Sequence, residues 1–286
     1  MQLVSVTTNV SDQPCAAVLD DARGLILCTQ LSHPLPGDAM AVLSVVSPDE
    51  LRERMADSPA ARFRDPDDAT FVAPYRHPRK IWGIGINYSA HAADLGASAP
   101  QGEPASFIKG DHTIIGPGEA IELPSQSQRV TAEAELGLIF GAVGRNVPIE
   151  SALDSVWGAC TVLDQTAEDI LQLNPRYLTR AKNFPGFFSF GPGIVPLDEI
   201  LAADGSLDSI EVSTILNGEV VVSNTVRNML FSPHLLVSFH SAVMPWYPGD
   251  ILSTGTPGAV KLSPGDVVGA TVTGLPALSN PVIAAR

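Results

Sequence analysis

Glu133 and Glu135 stand one residue apart in the run Ala132-Glu133-Ala134-Glu135-Leu136-Gly137-Leu138-Ile139-Phe140, and Asp164 closes a second apolar run, Cys160-Thr161-Val162-Leu163. In a β-strand, residues i and i+2 project from one face about 7 Å apart, and two carboxylates so placed repel each other unless a cation lies between them. On a half-exposed strand a Glu-x-Glu pair simply faces water. Here the flanks are apolar on both faces, so the carboxylates are expected to be partly buried and to need compensation. Asp164, delivered by a neighbouring strand, would complete an all-oxygen site with open positions for water and substrate. That donor set suits Mg²⁺ or Mn²⁺, with Ca²⁺ as a substitute, better than zinc.

A second constellation is Gly85-Ile86-Asn87-Tyr88-Ser89-Ala90-His91-Ala92-Ala93-Asp94. On a helical turn His91 and Asp94 share a face, where the carboxylate orients the imidazole and raises its basicity, making a general base; the bland alternative is two surface residues. Gly83 and Gly85 begin a dinucleotide fingerprint, but Tyr88 stands where the third glycine belongs, so that reading is discarded. Lys109 and Lys182 sit among apolar residues. Buried lysines are costly unless an anion answers them, which makes Lys182 a candidate for polarising a substrate carbonyl; otherwise both merely snorkel. The segment Pro248-Gly249-Asp250-Ile251-Leu252-Ser253-Thr254-Gly255-Thr256-Pro257 reads as a strand entering a tight turn, whose N–H groups and hydroxyls either face a ligand oxygen or only shape the turn. Serine-hydrolase elbow, zincin and P-loop patterns are lacking.

These residues must be carried on strands. Gly and Pro, 24 of each in 286 residues, punctuate the chain too often for long helices. Strands are expected at Leu3 to Thr7, Ala16 to Leu19, Leu25 to Leu31, Ile81 to Ile86, Ala105 to Lys109, Ala134 to Phe140, Gly158 to Leu163, Ile210 to Leu216, Ile251 to Thr254 and Val267 to Val272. Helices are expected at Pro48 to Met55, Ser89 to Leu95, Ile149 to Val156, Thr166 to Leu173 and Pro233 to Ala242. The polar segment Arg62 to Asp68 reads as a linker, dividing a small N-terminal domain (1–75) from a larger catalytic one (76–286). The fold class is α+β and β-rich.

Thirty-one acidic against seventeen basic residues give a formal net charge of −14. With no dense Lys/Arg cluster, the footprint for nucleic acid or an anionic membrane is missing. Cys15, Cys28 and Cys160 are an odd set without paired spacing, which argues against a disulfide framework or a zinc site and for a reducing cytoplasm. No basic leader and no long apolar stretch is present, so a soluble, unexported protein is expected.

Taken in order, Gly85-Ile86-Asn87-Tyr88-x-x-His91, Phe107-Ile108-Lys109, Glu133-x-Glu135-Leu136, Asp164-x-Thr166-Ala167-x-Asp169, Arg180-x-Lys182-x-Phe184, Asn217-Gly218-Glu219, Asn224-Thr225, Met229-x-Phe231-Ser232, Pro248-Gly249-Asp250 and Thr254-Gly255-Thr256-Pro257 resemble the fumarylacetoacetate hydrolase family, over residues 80 to 275. The resemblance implies a mixed β-sandwich or roll, a homodimer, and a divalent cation on Glu133, Glu135 and Asp164. It implies a small-molecule 1,3-dicarbonyl substrate, a His91–Asp94 base pair, Lys182 as electrophilic helper, and substrate contacts from Tyr88, Lys109, Arg180 and Thr256. The expected reaction is hydrolytic C–C cleavage; the alternatives are decarboxylation or tautomerisation of an oxo acid, and a drifted, non-catalytic member. Three departures bear on the substrate: Glu168 stands where the family often has Arg, Ser89 where a basic residue is common, and Gly110 where Pro is frequent. An anion at 168 would repel a substrate carboxylate if it faced the pocket, favouring a less acidic diketone or an acid held by Arg176 or Arg180.

Overall fold

Runs rich in β-branched and small apolar residues fold as strands throughout this computed structural model, which describes residues 1–9, 11–89, 102–201 and 205–285. In chain order the strands are β1 (Gln2–Thr8), β2 (Ser11–Asp20), β3 (Gly24–Leu27), β4 (Ala69–Val72), β5 (Ile81–Gly85), β6 (Ala105–Lys109), β7 (Ile114–Ile115), β8 (Ile121–Leu123), β9 (Val130–Phe140), β10 (Val156–Ala167), β11 (Phe188–Pro196), β12 (Glu211–Leu216), β13 (Glu219–Thr225), β14 (Ile251–Ser253), β15 (Ala259–Lys261), β16 (Val267–Val272) and β17 (Leu278–Ala284). The larger sheet runs β3-β2-β1-β11-β10-β9-β14-β5-β6, with β15, β4 and β7 attached to β9, β1 and β11; the smaller runs β13-β12-β16-β17-β8. The architecture is mixed and sheet-rich, as expected.

β9 and β10 are buried along their whole length, so each reads as an unbroken apolar run rather than an alternating one. Their two faces nonetheless differ. Ala132, Ala134, Leu136 and Leu163 pack toward Val212, Val268 and Ala270 of the smaller sheet. On the opposite face, Ile139, Cys160 and Val162 pack with Leu3, Val18 and Phe190. β1 pairs with β11, Leu3 opposite Ile194, so the N-terminal strands continue the sheet that carries β9 and β10.

Several elements depart from expectation. β10 runs on to Ala167, because Thr166 and Ala167 find ladder partners in Thr131 and Val130, and the helix expected from Thr166 starts at Glu168 instead. Residues Ile149–Ser155 form 3₁₀ turns rather than an α-helix, with Ser151 out of helical geometry. The strand expected to reach Leu31 stops at Leu27, where Cys28–Gln30 turns as a 3₁₀ helix. Most of the helix expected at Ser89 to Leu95 lies outside the described residues. The helix Pro48–Ala56 forms where expected, with Pro48 in its first turn and a Ser47–Glu50 capping box. No helix among the described residues is long and apolar enough to cross a membrane.

Candidate metal centre

Sheet register assembles the carboxylates. Asp164 on β10 lies directly opposite Glu133 on β9, and Glu135 follows two residues along on the same face, opposite Val162. All three are buried, Glu135 at 1% and Asp164 at 0% exposure, and one carboxylate oxygen from each falls within 4.8 Å of the others. The oxygen set therefore fits a hard divalent cation, as Mg²⁺ or Mn²⁺ requires.

Two ammonium groups answer the charge. Lys182, ending the short helix Leu178–Lys182, donates to Glu133 Oε2 at 2.8 Å and to Asp164 Oδ2 at 2.7 Å. Lys109 donates to Asp164 Oδ1 and, at 3.2 Å, to the Gln165 carbonyl. β6 is four strands from β10 in sheet order, so the contact from Lys109 requires the sheet to curl back over its own face. Phe107, also on β6, places its ring 4.7 Å from the Lys182 ammonium. Counted with every group ionised, three anions against two cations leave one net negative charge, which a divalent cation would turn into one positive. Burial tends to lower Lys182, but Asp164, Glu133 and Glu135 outweigh it and hold the group well above the usual lysine range. Lys109 falls to about 8 through burial, partly restored by Asp164 and opposed by Lys182. Glu135 is raised by burial and by repulsion from Asp164 and Glu133.

Glu135 is aimed by its neighbours. Its Oε2 accepts from Ser253 Oγ at 2.6 Å and from the Gly255 N–H at 2.8 Å. Gly255 has φ +97°, and a Cβ there would meet Asn87 Cβ at 2.7 Å, so only glycine presents this N–H. Asn87 clamps the loop, donating to Phe231 O (3.0 Å) and Thr254 O (2.8 Å) and accepting from Phe231 N (2.9 Å). Ile86, at φ +55°, turns the chain where a β-branched residue is strained. The turn delivers Tyr88, which is fully buried, with a hydroxyl that has no partner among the described residues. Burial, then the charge of Glu135, pushes its phenol up.

The remaining expected residues are dispersed. Thr256 is buried, its hydroxyl donating to Gly258 O at 2.9 Å within its own turn. Among the described residues Arg180 reaches only Gln126 Oε1, at 3.5 Å, near the surface. Glu168 does not stand as a lone anion: it accepts from Arg129 Nε at 2.5 Å and from Gln172 Nε2 at 3.2 Å. Gly110 donates its N–H to Asn183 Oδ1 at 2.7 Å. His91 and Asp94 lie outside the described residues. Sequence reasoning missed Ser253 and Gly255 as the partners of Glu135, although both lie in the Pro248–Pro257 segment it singled out. It also missed Arg129 as the partner of Glu168, a pairing set by strand register that leaves no local pattern.

The family model described as fumarylacetoacetate (FAA) hydrolase C-terminal matches residues 80–283. An uncharacterized protein of Pyrococcus abyssi is 38% identical over 212 residues, covering 72% of this chain and 91% of its own. The mitochondrial oxaloacetate tautomerase fahd2 of Xenopus laevis is 33% identical over 223 residues, covering 75% of this chain and 68% of its own. Among solved structures, fumarylacetoacetate hydrolase from Exiguobacterium antarcticum matches both chains over 100% of their length, with a TM-score of 0.82 and 27% identity.

Proposed function

The chain belongs to the fumarylacetoacetate hydrolase family, and from that premise we propose that it is a divalent-metal-dependent hydrolase cleaving a C–C bond in a small 1,3-dicarbonyl compound. The observation that carries this reading is the buried Glu133–Glu135–Asp164 triad with Lys182 bridging two of its members. A divalent cation on the three carboxylates would supply Lewis-acid polarisation of a substrate carbonyl. The ammonium of Lys182, held charged beside it, stabilises negative charge developing on a carbonyl oxygen. His91, oriented by Asp94, takes a proton from water, and the resulting hydroxide adds to the acyl carbon. The C–C bond then breaks, its electron pair leaving as an enolate that Lys182 stabilises until it is protonated on carbon. Tyr88 offers a hydroxyl from beside Glu135. Arg180 and Thr256 serve the substrate only if it reaches the surface rim or the Gly258 turn. Following the resemblance, we take the assembly to be a homodimer.

A second reading, tautomerisation or decarboxylation of an oxo acid, is favoured by the similarity to an oxaloacetate tautomerase. It uses the same carboxylates and lysines but needs no activated water. Calorimetric titration of chelator-treated protein with Mg²⁺ and Mn²⁺, with and without oxalate as an enolate mimic, tests what the two readings share. Saturable binding that oxalate tightens and Glu135→Ala abolishes is expected; no binding to the intact protein removes both. Turnover separates them: His91→Ala should slow hydrolysis by at least ~10²-fold, and near-intact turnover rejects the hydrolytic reading.

A further inference from the structure

From the face of β9 and β10 that carries the triad, we infer that Thr166 is a substrate-binding residue, whose hydroxyl takes the carbonyl oxygen of the dicarbonyl substrate farthest from the carboxylate triad. This rests on the reading above and deepens it. Thr166 follows Asp164 by two residues in an unbroken stretch of ladder, so it projects from the same face, one rung farther out and opposite Thr131. Its neighbours Gln165 and Ala167 point the other way, Ala167 into the core shared with the smaller sheet. Thr166 is 3% exposed and its hydroxyl has no partner among the described residues. A buried hydroxyl left unpaired destabilises a fold, whereas valine has almost the same shape and would fill the position without that cost. A threonine here therefore makes sense if a partner arrives with a ligand.

Tyr88 also buries a hydroxyl without a partner among the described residues, near enough to Glu135 for that carboxylate's charge to push its phenol up. At Thr166 the recognised group is a ketone or other uncharged carbonyl, because Glu168, which opens the helix that follows β10, already has its cation in Arg129.

The test compares wild type, Thr166→Val and Thr166→Ser in calorimetric binding of Mn²⁺ alone, of oxalate with Mn²⁺, and of a longer acylpyruvate with Mn²⁺, alongside thermal unfolding. In Thr166→Val, Mn²⁺ and oxalate affinities should be unchanged, acylpyruvate affinity should fall roughly tenfold, and Tm should hold or rise. Thr166→Ser should retain acylpyruvate affinity. Unchanged acylpyruvate binding by Thr166→Val overturns the proposal, as does an equal loss for all three ligands, which would make the residue structural. Failure of the wild type to bind Mn²⁺ overturns the underlying reading and this inference with it.

Discussion

Lys182 answers the charge of Glu133 and Asp164 at once, bridging the two while both are buried. Removing one partner of a buried ion pair leaves uncompensated charge and costs about 3–5 kcal/mol. Lys182→Met should therefore lower Tm markedly in the presence of chelator. Saturating Mn²⁺ should return more stability to the variant than to the wild type, because the ion then answers the carboxylates alone. Equal Mn²⁺-induced shifts in thermal unfolding would show that the ammonium and the ion do not act on the same charges. At this scale the sequence was legible where the anomaly was local. Glu-x-Glu within an apolar run and an aspartate closing another are conspicuous, since buried charge demands a reason. The pairing of Lys109 with Asp164 was not legible, because it depends on the curl of a sheet whose two strands are 55 residues apart in the chain. Glu168 shows the same limit: its type was visible, while its partner Arg129 is brought alongside by strand register.

Elements were read well where the pattern was strong and short connections bounded it, as at β5, β12, β16 and the helix Pro233–Val243. Strands β11, β13 and β17 escaped notice. β11 contains Gly191, Pro192 and Gly193, and β17 contains Pro281, residues that ordinarily argue against a strand. β13 is an edge strand exposed at Glu219, Val220 and Val221, so it lacks alternation. The helix Pro233–Val243 makes a further prediction. His240 on its inner face is 1% exposed, its Nδ1–H donating to Leu236 O at 2.8 Å and its ring 4.6 Å from that of Trp82, while Nε2 has no partner among the described residues. Burial lowers its pKa below the ordinary value, near 6.5 in an unfolded chain. Below that pH the unfolded state binds the proton more readily, so the stability His240 contributes is present above about pH 6.5 and is lost as pH falls through the depressed folded value. Urea unfolding at about pH 7.5 and about pH 5.5 should show a larger fall in midpoint for wild type than for His240→Gln. Identical falls would mean that the imidazole is not held neutral.

At the scale of the whole molecule, the polar stretch Arg62 to Asp68 divides the sequence, but the apolar contacts do not divide with it. Leu3, Val18, Ile26 and Val42 share a cluster with Trp157, Val162, Phe188, Phe190, Ile194 and Ile251. Polar ties cross as well. The Trp157 indole donates to Val46 O at 3.0 Å, and Arg52 meets Asp198 and Glu199 at 2.6 and 3.0 Å. A local reading finds the breaks in a chain; it does not find which strand pairs across them, because β1 meets β11 from some 190 residues away. Without residues 1–75 the remainder would expose an unpaired β11 edge and several large apolar side chains. Each of these contributes roughly 1.5–3 kcal/mol when buried. Five of them, at roughly 7.5–15 kcal/mol together, already equal the ~5–15 kcal/mol that usually holds a domain folded. Residues 76–286 produced alone should therefore lose cooperative unfolding, and with it the Mn²⁺ affinity of a triad that itself lies wholly within that fragment. A fragment that melts cooperatively and binds Mn²⁺ as the full chain does would show instead that the N-terminal strands only cover a site already stable without them.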